Sequence, residues 1–85
     1  MHYVYVLKSE KDKKLYIGQT VNLENRINEH NKGFCPSTKE RRPLKLVYYE
    51  AYLSETDAHT REVKLKKFKN SYKELSKKIT NSLEE

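Results

Sequence analysis

Two runs of β-branched and aromatic residues stand close together near the start of the chain, "HYVYVLK" at residues 2 to 8 and "LYIGQ" at residues 15 to 19. "SEKDKK", a polar stretch, separates them. Such residues fit a pleated, half-buried surface, and two such runs joined by a short polar turn read as a β-hairpin. A strand sends alternate side chains to opposite faces. In the second run Leu15 and Ile17 therefore share one face, and Tyr16 and Gly18 share the other. Tyr5 stands on the facing strand, so the hairpin carries two tyrosines and a glycine that leaves room beside them.

The remaining elements follow in order. "TVNLENRINEHNKG" reads as a helix, with Asn22 as N-cap, Glu24 in the first turn and Gly33 as the stop. Leu23 and Ile27 give it an inward face. Residues 34 to 43 form a loop bounded by two prolines, and residues 44 to 53 form a third strand. "SETD" at 54 to 57 resembles a capping box and opens a helix running to about Lys69. Ser71 and Glu74 have capping-box spacing for a last helix, which reaches about Ser82 and leaves residues 82 to 85 frayed. The order strand, strand, helix, strand, helix, helix predicts an α+β fold, a small three-stranded, mainly antiparallel sheet flanked by helices.

At 85 residues the chain has room for one domain, residues 1 to 85. Cys35 is the sole cysteine, so no internal disulfide forms, which suits a reducing cytoplasm. The apolar run at the N-terminus is too short for a signal sequence or a membrane span. Net charge is +6, and the segment from Arg61 to Lys78 alone carries eight basic and two acidic residues. Lys39, Arg41, Arg42 and Lys45 form a second basic group. Such a surface attracts polyanions, nucleic acid above all, although a lysine-rich surface also serves solubility alone. Seven of the nine aromatic residues are tyrosine, which packs, stacks on bases or moves protons.

Two helical positions bear on chemistry. Arg26 and His30 are four apart, on one side of the first helix and at the edge of the core. On the second long helix Ala58, Glu62, Leu65 and Phe68 follow one stripe, which puts a carboxylate on the buried side. An unpaired buried carboxylate is costly. Glu62 is therefore either paired with Lys66 or Arg61, or a ligand for a hard cation such as Mg²⁺ or Mn²⁺. His2, His30, His59 and Cys35 lack zinc spacing, and no phosphate-binding glycine loop or nucleophile elbow is present.

Taken together, "VYV" and "LYIG" resemble the two halves of the signature of the GIY-YIG nucleases, with Val4 where the family name has Gly. The order Tyr5, Tyr16, Gly18, Arg26, His30, Glu62 is similar to that family's site residues. "STKERRPLKLVYYE" and "REVKLKK" resemble its small stand-alone bacterial members, the UPF0213-like proteins. The resemblance covers nearly the whole chain. It implies endonucleolytic cleavage of DNA phosphodiester bonds with one divalent metal, Mg²⁺ or Mn²⁺. Glu62 would hold that metal and Arg26 would stabilise the phosphate. Tyr5, Tyr16 and His30 would complete the catalytic set, and Gly18 would let the nucleic-acid backbone approach. Lys39, Arg41, Arg42 and Lys66 are candidate nucleic-acid contacts. Asn70 and Asn81 are candidates for a late asparagine found in many relatives. Nicked, branched, single-stranded or damaged DNA and RNA all fit as substrates. The competing readings are a catalytically inactive nucleic-acid-binding module of the same fold and a plain partner-binding domain.

Overall fold

The computed structural model describes residues 1–84. Strands β1 (His2–Ser9) and β2 (Leu15–Thr20) form the hairpin, and β3 (Leu44–Tyr52) pairs antiparallel with the other side of β1. The sheet order is β2-β1-β3, so the first strand is central and the other two are edges. The expected α+β architecture is the one observed. The turn at residues 9–14 is more ordered than its polar sequence implies. Ser9 Oγ accepts the Lys11 and Asp12 amides at 3.1 Å each, and Asp12 Oδ1 accepts the Lys14 amide at 2.9 Å. Arg41 Nε then reaches across from the distant loop to Asp12 Oδ2 at 2.8 Å. That guanidinium, chiefly, holds the Asp12 carboxyl at about 2.

Helix α1 (Leu23–Asn31) starts where expected, the Asn22 side chain accepting the Asn25 amide at 3.1 Å. Gly33, at φ +83°, ends it in the left-handed region. Asn31 then fixes the start of β3, with its carbonyl oxygen 2.7 Å from the Leu44 amide and its Nδ2 2.9 Å from the Leu44 carbonyl. Within the loop, residues Lys39–Arg41 make one 3₁₀ turn.

Helix α2 (Glu55–Lys67) is capped by Ser54, whose Oγ accepts the Asp57 amide at 3.2 Å. It ends two residues earlier than expected. Phe68, in an extended conformation, both closes α2 and opens α3 (Lys69–Lys78), and the residue is 57% exposed, not inward. Ser71 is therefore inside the first turn of α3, and the capping box read there does not cap. Thr80–Glu84 form a further short helix, α4, where a frayed end is expected. Lys8 Nζ donates to the Leu83 carbonyl at 2.7 Å and ties α4 to β1.

The sheet is covered on both faces. On one, Val4, Val6, Ile17 and Val47 meet Ala58 and Leu65 of α2, Leu75 of α3, and Ile79. On the other, Tyr5, Leu7 and Leu44 pack with Tyr16, Leu46 and α1 residues Leu23 and Ile27. The alternation of β1 thus feeds two separate cores, odd positions to the α1 side and even positions to the α2 side. Burying aliphatic side chains contributes roughly 25 cal/mol per Å². Both cores are needed in a chain with no disulfide.

Candidate active site

Tyr5 and Gly18 are direct partners in the hairpin register. A Cβ added at Gly18 would lie 2.4 Å from the Tyr5 hydroxyl oxygen and 2.5 Å from ring carbon Cζ. The Tyr5 ring therefore lies across the β2 backbone in the space that glycine leaves. The room beside Gly18 is filled by the protein's own tyrosine, which corrects the expectation that it admits a nucleic-acid backbone. An aromatic ring laid over a glycine of an edge strand also restores the packing that the glycine lacks.

The Tyr5 hydroxyl meets His30 Nε2 at 2.8 Å, and His30 Nδ1 meets Thr38 Oγ1 at 2.7 Å. Tyr5 is 1% exposed and His30 is fully buried. His30 is thus the buried residue of α1, deeper than the core-edge position its helical spacing suggests, because the loop carrying Thr38 closes over it. Tyr16 completes the group, its ring centroid 5.0 Å from that of His30 and 6.4 Å from that of Tyr5. Arg26, one turn before His30, brings its positive charge near the Tyr5 hydroxyl and donates from Nη1 to Glu29 Oε1 at 3.3 Å. Burial pushes the Tyr5 phenol up to about 12, although the adjacent Arg26 draws it down. Burial, with Arg26 adding to it, holds the His30 imidazole below its usual range. The neighbouring Tyr5 raises the Arg26 guanidinium further, so Arg26 is a fixed cation. The outcome is a neutral tyrosine and a neutral histidine behind one permanent positive charge.

Glu62 lies on the other side of β2. It lines a depression with His2, Gln19, Thr20, Val21 and Glu55. Gln19 follows Gly18 directly, and the two project to opposite faces of the edge strand. The Tyr5–Arg26 group and Glu62 therefore flank the same short piece of β2, one strand apart. The Glu62 side chain is 15% exposed and is not orphaned, with Lys66 Nζ at 3.0 Å from Oε2 and His59 Nδ1 at 3.8 Å from Oε1. Of the two partners expected for it, Lys66 is the one observed.

Arg61 pairs elsewhere. Its Nε is 2.9 Å from Glu50 Oε1 and its Nη2 3.1 Å from Glu50 Oε2, and the same carboxylate accepts the hydroxyls of Tyr48 and Tyr52. Burial pushes Glu50 up, but those donors outweigh it and leave the carboxyl below its usual range. Burial and then the neighbouring carboxylate push both tyrosines up to about 12. Strand alternation could have signalled this network, since Tyr48, Glu50 and Tyr52 share one face of β3 opposite α2. Thr38 carries no comparable sequence signal.

The basic candidates differ in what they are free to do. Arg41 is held by Asp12, and Lys66 by Glu62. Lys39 and Arg42 are exposed and line a shallow groove with Lys11, Asn31, Glu40 and Pro43. Asn70 and Asn81 are exposed on α3 and α4. Among the described residues no group of three His, Cys, Asp or Glu side chains could hold a metal ion by itself. The donors around Glu62 are still those a hard cation uses, two carboxylates with amide and hydroxyl oxygens in an open depression. Mg²⁺ commonly takes one or two carboxylates and keeps water and phosphate in its other positions, so the residues fit such an ion.

The family model for the GIY-YIG catalytic domain matches residues 1–77. The chain belongs to the GIY-YIG family. A UPF0213 protein of Clostridium perfringens is 47% identical over 75 residues, covering 86% of this chain and 78% of that protein. One from Staphylococcus haemolyticus is 47% identical over 73 residues, covering 85% of this chain and 88% of that protein. The solution NMR structure of a UPF0213 protein from Bacillus halodurans matches with a TM-score of 0.55 at 33% identity, covering 87% of this chain and 79% of that one. Membership in GIY-YIG implies a nuclease family and a nucleic-acid substrate. Among the described residues no helix is long and apolar enough to cross a membrane.

Proposed function

We propose that this GIY-YIG protein is a divalent-metal-dependent endonuclease that hydrolyses phosphodiester bonds of DNA. The observation that carries the reading is the convergence of Tyr5, Tyr16, Arg26 and His30 into one group at the β2 edge, with Glu62 across that edge. Arg26 is the fixed cation able to hold a scissile phosphate, and its fork suits two phosphate oxygens. Tyr5, with a pKa near 12, stays neutral at physiological pH and orients Arg26. Tyr16 is only half-buried and is the hydroxyl able to meet an attacking water. Glu62, with Glu55 and Gln19 beside it, would hold Mg²⁺ or Mn²⁺. Such an ion, when bound, supplies charge to a phosphoryl or leaving oxygen. Lys39, and the terminal nitrogens of Arg42, whose Nε donates to the Lys39 carbonyl at 2.8 Å, would add backbone contacts along one side.

A second reading is a nucleic-acid-binding module without catalysis. It is favoured by the pairing of Glu62 with Lys66. A plasmid-nicking assay in Mg²⁺ or Mn²⁺, with EDTA as control, decides between them when run beside Glu62→Gln. Lys66 is 49% exposed, so losing this pair costs less than about 1 kcal/mol. The nuclease reading expects Glu62→Gln to melt like the wild type, lose metal-dependent nicking and keep its DNA affinity. Nicking that persists unchanged in the variant removes Glu62 from catalysis. No nicking by the wild type with any metal leaves the binding module.

A further inference from the structure

The structure assigns to Thr38 the role of a positioning residue: it accepts the Nδ1 proton of His30 and so holds the ring in the tautomer whose bare Nε2 takes the Tyr5 hydroxyl proton. The inference rests on the nuclease reading only for its effect on cleavage. Its structural part stands alone.

The argument is one of matching donors to acceptors in a closed space. Tyr5, His30 and Thr38 are all buried, so each polar hydrogen among them needs a protein acceptor. Among the described residues the Tyr5 hydroxyl has one hydrogen-bond partner, His30 Nε2 at 2.8 Å, and the charge nearest it is the Arg26 guanidinium. Arginine carries donors only. The hydroxyl proton of Tyr5 can therefore go to His30 Nε2 alone, and that nitrogen must be bare. The ring proton then resides on Nδ1 and donates to Thr38 Oγ1 at 2.7 Å. The Thr38 hydroxyl hydrogen turns to the Cys35 carbonyl, 3.5 Å away. The opposite tautomer would leave the buried Tyr5 proton facing a cation. Glu29, Tyr16 and Cys35 are the other ionisable neighbours, and none is bonded to either ring nitrogen.

Thr38 is also conspicuous for what its hydroxyl does not do. It occupies the N-cap of the 3₁₀ turn, where threonine ordinarily bonds a following amide, yet its side chain makes no cap bond. The hydroxyl is given to His30 instead. The chain Thr38–His30–Tyr5–Arg26 thus runs from a loop, through α1 and the central strand, and back to the cation that meets phosphate.

The test is ¹⁵N-edited NMR of the His30 ring nitrogens in the metal-free protein, with Thr38→Val and Thr38→Ser alongside. The wild type should show one neutral tautomer near neutral pH, protonated at Nδ1. Thr38→Ser should match it. Thr38→Val, which keeps the shape and loses the acceptor, should lose that single tautomer and broaden the Arg26 guanidinium signals. Nicking should fall about tenfold or more in Thr38→Val and recover in Thr38→Ser. A wild-type ring protonated at Nε2, or a Thr38→Val spectrum unchanged from wild type, overturns the proposal. If no variant and no wild type cleaves, the nuclease reading fails while the NMR result still decides the role of Thr38. If Thr38→Val does not fold, the wild-type tautomer and Thr38→Ser decide it.

Discussion

Replacing Gly18 by alanine tests the geometry of the site most sharply. The new Cβ would stand 2.4 to 3.0 Å from three atoms of the Tyr5 ring. Ordinary contacts between such atoms are about 3.5 to 4.0 Å, so the ring must withdraw by about 1 Å. A shift of that size takes the 2.8 Å bond to His30 out of hydrogen-bond range. Overpacking costs about 1–3 kcal/mol and unsatisfying the buried pair costs about as much again. Removing a glycine from a strand returns about 0.5–1 kcal/mol. The net loss is about 1–5 kcal/mol, centred near 3, which lowers Tm by roughly 10–25 °C at that centre for a domain of this size. Thermal melts by circular dichroism, without DNA, measure it. In a Tyr5→Leu background the added methyl has room, so the further cost of Gly18→Ala should vanish or change sign. An unchanged Tm for Gly18→Ala, with DNA binding alone weakened, would refute the reasoning and show that the glycine serves the ligand.

Glu50→Gln leaves Arg61 facing an amide among two tyrosines and should lower stability by about 2 kcal/mol, several times the effect of Glu62→Gln, as read by urea titration. Tyr5, Tyr48 and Tyr52 all have folded values near 12 against about 10 unfolded, so the folded chain holds its phenolic protons longer. Stability is complete below pH 10 and falls as pH rises from 10 to 12. Tyrosine absorbance should then rise together with unfolding, and independent titration of all seven tyrosines in a folded chain would contradict this. His30 works on the acid side: its depressed value means stability declines as pH falls below about 6.5, and His30→Gln should flatten that limb of the melting profile. Arg42→Ala should weaken DNA binding and reduce its salt dependence with the fold intact, whereas Arg41→Ala should loosen the hairpin turn, as hydrogen exchange at Lys11 to Lys14 would show.

The strands, the start of α1 and the start of α2 were legible because each carries a local signal: alternation for β1 to β3, and a capping side chain at Asn22 and Ser54. What was misread depends on neighbours. Phe68 follows the apolar stripe of α2, but the helix ends there and the stripe ends with it. The depth of His30 comes from the loop through Thr38, and loop cover has no period in sequence. Glu62 is on the buried side as its spacing implies, but which of its two candidate partners it takes is decided by Glu50, which claims Arg61 and leaves Lys66. Gly18 was seen as a gap, and only the hairpin register shows that Tyr5 fills it. The order of residues thus identified which side chains gather at the β2 edge, whereas their depth and pairing came from the way sheet, helix and loop close on one another.

The central place of β1 in the sheet has a consequence for biosynthesis. As the chain emerges during translation, β1 meets β2 within a few residues and can pair at once. Its other edge waits for β3, and the Val4 and Val6 side chains wait longer still for Leu65, Leu75 and Ile79. At about 5–20 residues per second that delay lasts several seconds. Throughout it the nascent hairpin shows an apolar face and an unpaired strand edge, the combination most open to pairing with another chain. The nascent hairpin is therefore the stage at which this fold is most open to pairing with another chain, and slowing elongation between Tyr52 and Ile79 should raise aggregation.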